Sequence, residues 1–472
     1  MNISDFKYIY FLGIGGIGMS AIARWFKAQG YHVGGYDKTP TSLTQELINE
    51  GMDIHFDDKV GRIPTEFYRK DETLVIRTPA VPADNIEYQF FEKDRYQIMK
   101  RSQVLGFITE DLITIAVAGT HGKTTTSTMI AHILKSAGAN VSAFLGGIAT
   151  NYNTNLLIGK TRSATTNGQD PILPHLCVVE ADEYDRSFLT LHPDIEVVTS
   201  MDADHLDIYG AHDELKKSFS QFINQLKIKG HLIIKKGLEY TLNHDKLLYI
   251  HEYSSSPEKE VKEFSAGNIR IEEGSFVFDY KAKSSGIQNI KMMIPGFHNV
   301  ENAAAAINAC ILLEIPADKI KAGLESFKGV KRRFEYILKT EKTVFIDDYA
   351  HHPAEIEAFL SSVKALYPTK KLTCIFQPHL YSRTRDFAEG FSQSLSIADE
   401  IILLDIYPAR ELPIAGVTSE LILGDIKTTQ KSIIKKEHLL EYIKSIKPEL
   451  LVTVGAGDID AWVERIREII SS

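Results

Sequence analysis

The sequence predicts an α/β protein of three domains, and three observations support this. The chain has 472 residues, and at roughly 100–200 residues per domain this length predicts two to four domains. Apolar strand-like runs alternate with helix-like segments in the first and last thirds, which is typical of parallel sheets covered by helices. Between about residues 230 and 295 the apolar period changes to two, as in antiparallel strands. We therefore expect domains at 1–107, 108–329 and 330–472.

The first domain begins with a nucleotide-binding pattern. An apolar strand runs into a glycine turn at residues 13–18, a helix follows, and a second strand ends at Asp37. Such a turn lets the backbone approach a pyrophosphate, and an acidic residue after the second strand can accept a hydrogen bond from a ribose hydroxyl. We expect a Rossmann-like domain that binds a pyrophosphate-bearing nucleotide, for which NAD and a UDP-sugar are the alternatives. The predicted contacts are Gly15, Gly16, Gly18 and Asp37.

The second domain begins with a strand, a glycine-containing loop and a helix. The strand spans residues 113–118, and the loop that follows carries Lys123 at its end. Glycines turn backbone N–H groups onto phosphate oxygens, and the lysine supplies a positive charge. Val117 stands where the usual phosphate-loop pattern has its first glycine, and a plain helix-capping turn is the alternative, but ATP binding explains the order of elements better. The predicted ATP contacts are Gly119, Thr120, His121, Gly122, Lys123, Thr124 and Thr125.

A magnesium site is predicted beside this loop. Glu180 directly ends one strand, and His205 follows the next strand along the chain. An acidic residue at a strand tip beside a phosphate loop commonly holds the Mg²⁺ that neutralises the phosphates. We therefore expect a domain like the P-loop ATPases, with a mixed sheet and a small antiparallel sheet. The predicted ligands of Mg²⁺ (or Mn²⁺) are Thr124, Glu180 and His205.

Polar side chains crowd the strand ends of the third domain, which is again expected to be Rossmann-like. A pocket of histidine and arginine suits a small carboxylate, because arginine can bind it through two hydrogen bonds. Each residue alone could be an ordinary surface or core side chain, but their common placement indicates a pocket. The residues of this pocket are Tyr349, His351, His379 and Arg383. Two arginines at the domain junction are placed to reach phosphates when domains close; they are Arg332 and Arg333.

These motifs together resemble a known family, the Mur ligases. They run in the order GxGGxGMS, AGTHGKTTT, EADEYDRSF, DADHLDIY, HNVENAAAA, KRRFE, DDYAHHPAEI and QPHLYSRTRDF. The resemblance covers nearly the whole chain, and a set of eight motifs is far more specific than any one of them.

The resemblance implies an ATP-dependent ligase of peptidoglycan precursor synthesis. Within the family, the stretch 404–419 looks most similar to members that join L-alanine to the lactyl carboxylate of UDP-N-acetylmuramate through an acyl phosphate. A sister activity, which reattaches a tripeptide to UDP-N-acetylmuramate during wall recycling, is the first alternative. An NAD(P)-dependent oxidoreductase with an ATP-binding module is the alternative from a different class.

The resemblance also implies roles at matching positions. The UDP-sugar would be bound by Gly15, Gly16, Gly18, Met19, Ser20 and Asp37. Beyond the phosphate loop, ATP would contact Asn299, Asn302 and Asp348. Lys123 with Arg332 or Arg333 would stabilise the transferred phosphoryl group. L-Alanine would lie against Tyr349, His351, His379 and Arg383, and either His351 or His379 would serve as the base.

Composition excludes several other classes of function. The 62 acidic residues exceed the 53 basic ones, which gives a net charge of −9, so nucleic acid and anionic membrane are poor partners. Glycines interrupt the apolar run at residues 8–23, so no membrane insertion is expected. The three cysteines are far apart in apolar runs, which predicts buried thiols in a reduced, cytoplasmic protein. Either a monomer or a homodimer is consistent with the sequence.

Overall fold

The computed structural model describes residues 3–160, 174–203, 206–243, 247–256, 263–282, 286–409 and 411–471. Its contacts divide the chain into two compact units. Unit 1 comprises Met1–Tyr253 with Ala305–Gly323, and unit 2 comprises Ser254–Ala304 with Leu324–Ser472. Among the described residues, no helix is both long enough and apolar enough to cross a bilayer.

The first sheet of unit 1 is entirely parallel. Its strands, in the spatial order β3-β2-β1-β4-β5, are β1 (Tyr8–Leu12), β2 (His32–Tyr36), β3 (Asp53–His55), β4 (Thr73–Arg77) and β5 (Gln97–Lys100). The helices between them are α1 (Ile17–Ala28), α2 (Ser42–Asn49), α3 (Ile86–Lys93) and α4 (Arg101–Thr109). This is the predicted alternation of strand, turn and helix.

The second sheet of unit 1 is parallel apart from one strand. Its members are β6 (Ile113–Ala118), β7 (Val141–Ala149), β8 (Thr154–Leu157), β9 (Leu176–Glu180), β10 (Ile195–Val198), β11 (His231–Lys235) and β12 (Tyr249–Ser255). The spatial order is β12-β11-β10-β6-β9-β7-β8, and only the β7–β8 pair of these is antiparallel. The helices α5 (Lys123–Ser136), α6 (Leu206–Tyr209) and α7 (His212–Ile223) complete this part.

Antiparallel pairing is confirmed for the second part of the predicted stretch 230–295, at residues 265–292 in unit 2. For its first part the prediction was wrong, because β11 and β12 pair in parallel. The three strands are β13 (Ser265–Glu272), β14 (Ser275–Lys281) and β15 (Gly286–Met292), with β14 between the others. Two helices follow, namely α8 (Phe297–Leu312) and α9 (Ala317–Ser326).

The last sheet has the order β16-β17-β21-β18-β19-β20 and is parallel except for β16. Its strands are β16 (Glu335–Lys339), β17 (Val344–Asp348), β18 (Leu372–Phe376), β19 (Glu400–Leu403), β20 (Gln430–Ile433) and β21 (Leu450–Val454). The helices are α10 (Pro353–Leu366), α11 (Tyr381–Asp386), α12 (Ala388–Leu395), α13 (Glu420–Leu423), α14 (Lys436–Ile446) and α15 (Asp460–Ser471). The predicted α/β class with parallel-rich sheets is therefore confirmed, while the domain limits at 107 and 329 stay a prediction.

Apolar packing supports both sheets of unit 1 together. Helix α1 packs against β7 and β8 of the second sheet as well as against its own strands. One cluster of buried side chains accordingly includes Phe26 of α1 and Phe144 of β7. The three cysteines are buried free thiols, as expected, and burial raises the pKa of the Cys177 thiol to about 12.

Candidate active site

The phosphate loop of unit 1 owes its shape to two glycines. Gly119 has φ +136°, and Gly122, the N-cap of α5, has φ +81°. L-residues rarely adopt such backbone. A Cβ at Gly119 would also lie 2.1 Å from the Thr199 hydroxyl oxygen. The loop therefore leads from β6 into the N-terminus of α5, where helix N–H groups and the helix dipole favour an anion.

Hydroxyl groups that follow β10 hold this loop from the side. The Ser200 hydroxyl oxygen accepts a hydrogen bond from the His121 N–H (2.7 Å) and lies 2.9 Å from the Thr120 hydroxyl. The Thr199 hydroxyl donates to the His121 carbonyl oxygen, and the Thr120 hydroxyl accepts from the Asp202 N–H. The sequence reasoning missed Thr199 and Ser200. The sequence feature that could have identified them is a pair of consecutive hydroxyl residues directly after a strand that adjoins β6.

The Lys123 side chain is 14% exposed and bonds to the loop. Its ammonium lies 2.8 Å from Glu183 Oε1 and donates to the Gly119 carbonyl oxygen at 2.6 Å. Burial alone would lower the pKa of Lys123, but the carboxylates of Glu183, Glu180 and Asp182 outweigh it and raise that pKa above its ordinary value. The side chain is therefore held as a cation at the position where phosphate charge would arrive.

The neighbouring oxygen groups fit a magnesium ion. Glu180 is the last residue of β9, and its carboxylate packs against Gly146 of β7, where a Cβ would lie 2.2 Å from Oε2. Thr124 is buried in the first turn of α5. Carboxylate and hydroxyl oxygens are the ligands that Mg²⁺ prefers. The third predicted ligand, His205, lies outside the described residues.

The glycine turn of the first sheet is fixed by the predicted ribose acceptor. Asp37 Oδ2 accepts from the Gly15 N–H at 2.7 Å, and Oδ1 accepts from the Thr39 N–H. A Cβ at Gly15 would lie 2.8 Å from the same carboxylate oxygen, which explains the need for glycine. Asp37 thus shapes the turn, and its contact with a nucleoside stays a prediction.

Two predicted UDP contacts have side chains directed into the protein. Met19 is 2% exposed and belongs to the apolar core. The buried Ser20 hydroxyl donates to the Ile17 carbonyl oxygen and accepts from Asn155 Nδ2 at 3.0 Å. The Ser20 backbone N–H donates to the Gly16 carbonyl oxygen at 2.8 Å, so the contacts of Met19 and Ser20 with a nucleotide stay predictions. Gly18 faces the guanidinium of Arg101, which in turn pairs with Asp182 at 3.1 Å.

A buried arginine connects the first sheet of unit 1 to the second. Arg24 of α1 donates to Asn155 Oδ1 of β8 at 2.6 Å, and its other nitrogens pair with Glu46 and Glu50. Asn155 is fully buried and donates to the Ile17 carbonyl oxygen at 2.6 Å. We call Arg24, Asn155 and Ser20 the α1 clasp. It fixes the helix that begins at the glycine turn.

Three of the four residues predicted to bind the amino acid, Tyr349, His351 and His379, lie together in unit 2. The rings of Tyr349 and His351 are 5.4 Å apart, and those of His351 and His379 are 6.3 Å apart. His379 stacks on Tyr407 with an interplanar angle of 22°. Arg383 of α11 is 8% exposed. The sequence reasoning missed Tyr407, whose signal was an aromatic residue shortly after β19.

The two junction arginines differ in their contacts. Arg332, with φ +60°, donates to Asp347 Oδ2 at 3.0 Å and to the Gly455 carbonyl oxygen at 2.6 Å. Its guanidinium is thus bound to its own domain. Both guanidinium groups lie 5.1 Å from the centre of the Tyr349 ring. The Arg333 guanidinium pairs with Glu355 at the longer distance of 3.8 Å, so Arg333 is held less closely than Arg332, and contact of either arginine with phosphate stays a prediction.

The predicted ATP contacts of unit 2 are buried. Asp348, the last residue of β17, accepts from the Phe334 N–H (2.7 Å) and the Ala350 N–H (2.8 Å), and burial raises its pKa to about 6. Asn299 lies inside α8 rather than at its N-cap, and its amide donates to the Pro295 carbonyl oxygen. Asn302 Nδ2 lies 3.4 Å from Asn299 Oδ1. Their contacts with ATP stay predictions.

Comparison with known proteins agrees with this arrangement. Residues 8–111 match the Mur ligase family catalytic domain, residues 117–310 the Mur ligase middle domain, and residues 332–457 the Mur ligase glutamate ligase domain. The chain is 48% identical to the UDP-N-acetylmuramate–L-alanine ligase of Flavobacterium johnsoniae, over 100% of this chain and 99% of that one. It is 47% identical to the ligase of the same name from Cytophaga hutchinsonii, over 99% and 97%.

Solved structures resemble the chain over almost its full length. The UDP-N-acetylmuramate–alanine ligase of Thermotoga maritima is 28% identical, covers 98% of each chain and has a TM-score of 0.78. A murein peptide ligase from Psychrobacter arcticus, 22% identical over 99% of each chain with a TM-score of 0.69, shares the fold. With three matching domain models and full-length relatives above 40% identity, the chain belongs to the Mur ligase family.

Proposed function

We propose that this protein joins L-alanine to the lactyl carboxylate of UDP-N-acetylmuramate, with conversion of ATP to ADP and phosphate. The observation that carries the proposal is full-length similarity, at 43–48% identity, to ligases named for this reaction. The product is a peptidoglycan precursor. Because ATP and sugar nucleotides are cytoplasmic metabolites, we place the reaction in the cytoplasm, carried out by a monomer or homodimer.

The first step activates the carboxylate. A carboxylate is inert towards amines because oxide cannot leave, whereas transfer of the γ-phosphoryl group of ATP gives an acyl phosphate with phosphate as leaving group. The phosphate loop of α5 would bind the ATP phosphates, and the Lys123 ammonium would leave Glu183 to neutralise them. We assign Thr124 and Glu180 to Mg²⁺ (or Mn²⁺), which, when bound, neutralises phosphate charge. Positioning and charge neutralisation are the main tasks of the protein.

The second step forms the amide. L-Alanine would be held by its carboxylate at Arg383, next to the pocket of Tyr349, His351 and His379. Its ammonium must lose a proton before the nitrogen can attack the acyl phosphate, and a histidine of the pocket accepts that proton. The tetrahedral intermediate then expels phosphate. Arg333 is the cation of unit 2 that we assign to the phosphate.

The deciding experiment is ATP-dependent phosphate release with UDP-N-acetylmuramate and Mg²⁺, with the mass of the product measured. Turnover with L-alanine is expected. Turnover only with the L-Ala-D-Glu-containing tripeptide would instead assign the protein to wall recycling. No turnover with either amino donor, together with NAD(P)H quenching of protein fluorescence, would overturn the proposal. Chelation of the metal should abolish phosphate release, and added Mg²⁺ or Mn²⁺ should restore it.

A further inference from the structure

We propose that Glu355 is a positioning residue that orients His351 and increases its basicity, so that His351 rather than His379 takes the proton from the L-alanine ammonium. This inference rests on the proposed function, and it deepens the role of the same pocket. Glu355 stands in the first turn of α10, with its side chain 12% exposed. It was not among the residues that the sequence pattern singled out.

Two contacts join Glu355 to His351. Glu355 Oε2 accepts a hydrogen bond from the His351 N–H at 3.0 Å, and the same oxygen lies 3.4 Å from His351 Nδ1. The backbone and the ring of one histidine are therefore held by one carboxylate. Because the carboxylate projects from the start of a helix, its position is set by the fold of α10 rather than by a loop.

The ring of His351 has its proton on a defined nitrogen. Nδ1 lies 3.0 Å from the Tyr349 carbonyl oxygen, and a carbonyl oxygen can only accept. With Glu355 also an acceptor, Nδ1 must carry the proton. The lone pair of the neutral ring is then on Nε2, which is the atom able to remove a proton. A carboxylate beside Nδ1–H fixes this tautomer and stabilises the imidazolium that forms, as in a carboxylate–histidine pair of a hydrolase.

The charged groups around this pair come from several elements. Arg333 Nη1 lies 3.8 Å from Glu355 Oε1, and its positive charge opposes protonation of the nearby imidazole. The Asp348 carboxylate interacts with both Arg333 and Glu355, and His298 of α8 experiences the same two charges. Tyr349 and His379 face the ring of His351. Glu355 thus offsets the arginine, so that a phosphate-binding cation and a base can stand side by side.

His379 has a different environment within the pocket. Its ring stacks in nearly parallel fashion on Tyr407, and its backbone pairs with the same residue. This arrangement suits a wall of the binding pocket. We therefore assign His379 to the binding of L-alanine and His351 to proton transfer.

The test compares Glu355→Gln, Glu355→Asp and the matched control Glu357→Gln in the full-length protein. Glu357 lies on the same helix and is exposed. Glu355→Gln should lower kcat by roughly 10- to 100-fold, with the KM values for ATP and UDP-N-acetylmuramate within about twofold of wild type. It should also move the acidic limb of the kcat–pH profile to lower pH, by about one unit, because loss of the negative charge lowers the pKa of the base.

Glu355→Asp, which keeps the charge, should restore the position of the limb, and Glu357→Gln should match wild type. A loss of kcat without movement of the limb would mean that Glu355 only supports the fold, and would overturn the proposal. The proposal would also be overturned if His351→Gln kept the acidic limb of the wild-type kcat–pH profile while His379→Gln lost it.

A second measurement separates this inference from the proposed function. The His351 ring can be followed by ¹⁵N NMR in the substrate-free protein, with His351→Gln for assignment. In wild type we expect the Nδ1–H tautomer of His351, and in Glu355→Gln we expect a lower pKa of His351 than in wild type. If wild type makes no product with L-alanine, the proposed function fails, while these spectra still decide the Glu355–His351 pair. The Nε2–H tautomer, or an unchanged pKa, would overturn it.

Discussion

The Lys123 ammonium and the Glu183 carboxylate form a close ion pair, 2.8 Å apart, and the Glu183 side chain is fully buried. The cation that we assign to the ATP phosphates therefore has a protein anion as its partner in the nucleotide-free protein. On our proposal, incoming phosphates replace that carboxylate and must offer more negative charge than it does. Glu183 also explains how a lysine that is only 14% exposed stays charged.

Replacement of Lys123 by alanine should abolish turnover and also destabilise the protein. Removal of the cation deprives the phosphates of their charge partner and should lower kcat by roughly 100-fold or more. It also leaves the buried Glu183 carboxylate without that cation, at a cost of about 3 kcal/mol in the free energy of unfolding. Phosphate release and thermal unfolding would measure the two effects.

The double variant Lys123→Ala with Glu183→Gln is the matched control. It removes both charges, so we expect most of the stability to return while activity stays lost. Retained turnover in Lys123→Ala would disprove the phosphate role. A double variant as unstable as the single one would show that the ion pair is not the source of the effect.

Substitution of Ser200 by alanine should weaken ATP binding with little effect on the other substrates. The Ser200 hydroxyl accepts from the His121 N–H and contacts the Thr120 hydroxyl, so its loss frees one side of the phosphate loop. Loss of one or two such bonds costs about 1–2 kcal/mol, which corresponds to a rise of about 5- to 30-fold in the KM for ATP. Ser445→Ala, on α14 and exposed, is the control. An equal rise in the KM for L-alanine would contradict this explanation.

Replacement of Asn155 by alanine should affect both stability and the binding of the nucleotide sugar. Asn155 is fully buried. Its side-chain amide accepts a hydrogen bond from Arg24 and donates to the Ser20 hydroxyl and the Ile17 carbonyl oxygen. Unsatisfied buried partners cost about 1–3 kcal/mol each, so the melting temperature should fall by several degrees. Because α1 begins at the glycine turn, the KM for UDP-N-acetylmuramate should also rise. Asn49→Ala, an exposed residue of α2, should change neither quantity.

Stability should depend on pH through Glu87. This carboxyl group is fully buried in α3, its Oε2 accepts from the Tyr10 hydroxyl at 2.7 Å, and burial raises its pKa from 4.5 to about 7. A raised folded-state pKa stabilises the protonated form. The contribution to stability is therefore complete below pH 4.5 and is lost as the pH rises through 7.

Glu87→Gln lacks this titration and keeps the neighbouring His55. Between pH 5 and pH 8, wild type should lose stability relative to the variant, by up to about 3 kcal/mol. Urea unfolding at several pH values measures this difference. Parallel curves for the two proteins would mean that Glu87 is ionised in the folded state throughout this range.

Regular elements were predictable because their periodicity is local. The alternation of apolar runs gave the parallel strands, and the period of two gave β13–β15. The antiparallel pair β7–β8 was missed; β7 pairs with β8 on one side and in parallel with β9 on the other. Strand β17 extends through Asp347 and Asp348 although both carboxylates are buried. The Thr453 hydroxyl donates to Asp347 and the Phe334 N–H donates to Asp348, and both donors lie far away in the sequence.

Residue types at strand ends were predictable, but their partners were not. Lys123 could be identified from its loop, whereas Glu183 becomes its partner only through a turn in which Asp185 and Arg186 have positive φ. The family resemblance implied Ser20 as a nucleotide contact, yet its hydroxyl accepts a hydrogen bond from Asn155, which lies far along the chain. Such pairings depend on tertiary packing, which no local pattern encodes.

The limits of the family domains do not coincide with the limits of the packed core in this chain. One family domain ends at residue 111 and the next begins at residue 117, but Phe26 and Phe144 share one apolar cluster across that border. The α1 clasp adds polar bonds to the same contact. A segment limited to the first 107 residues would expose one face of α1 to water. A chimera that exchanges residues 8–111 between distant relatives should therefore aggregate unless α1, β7 and β8 come from the same parent.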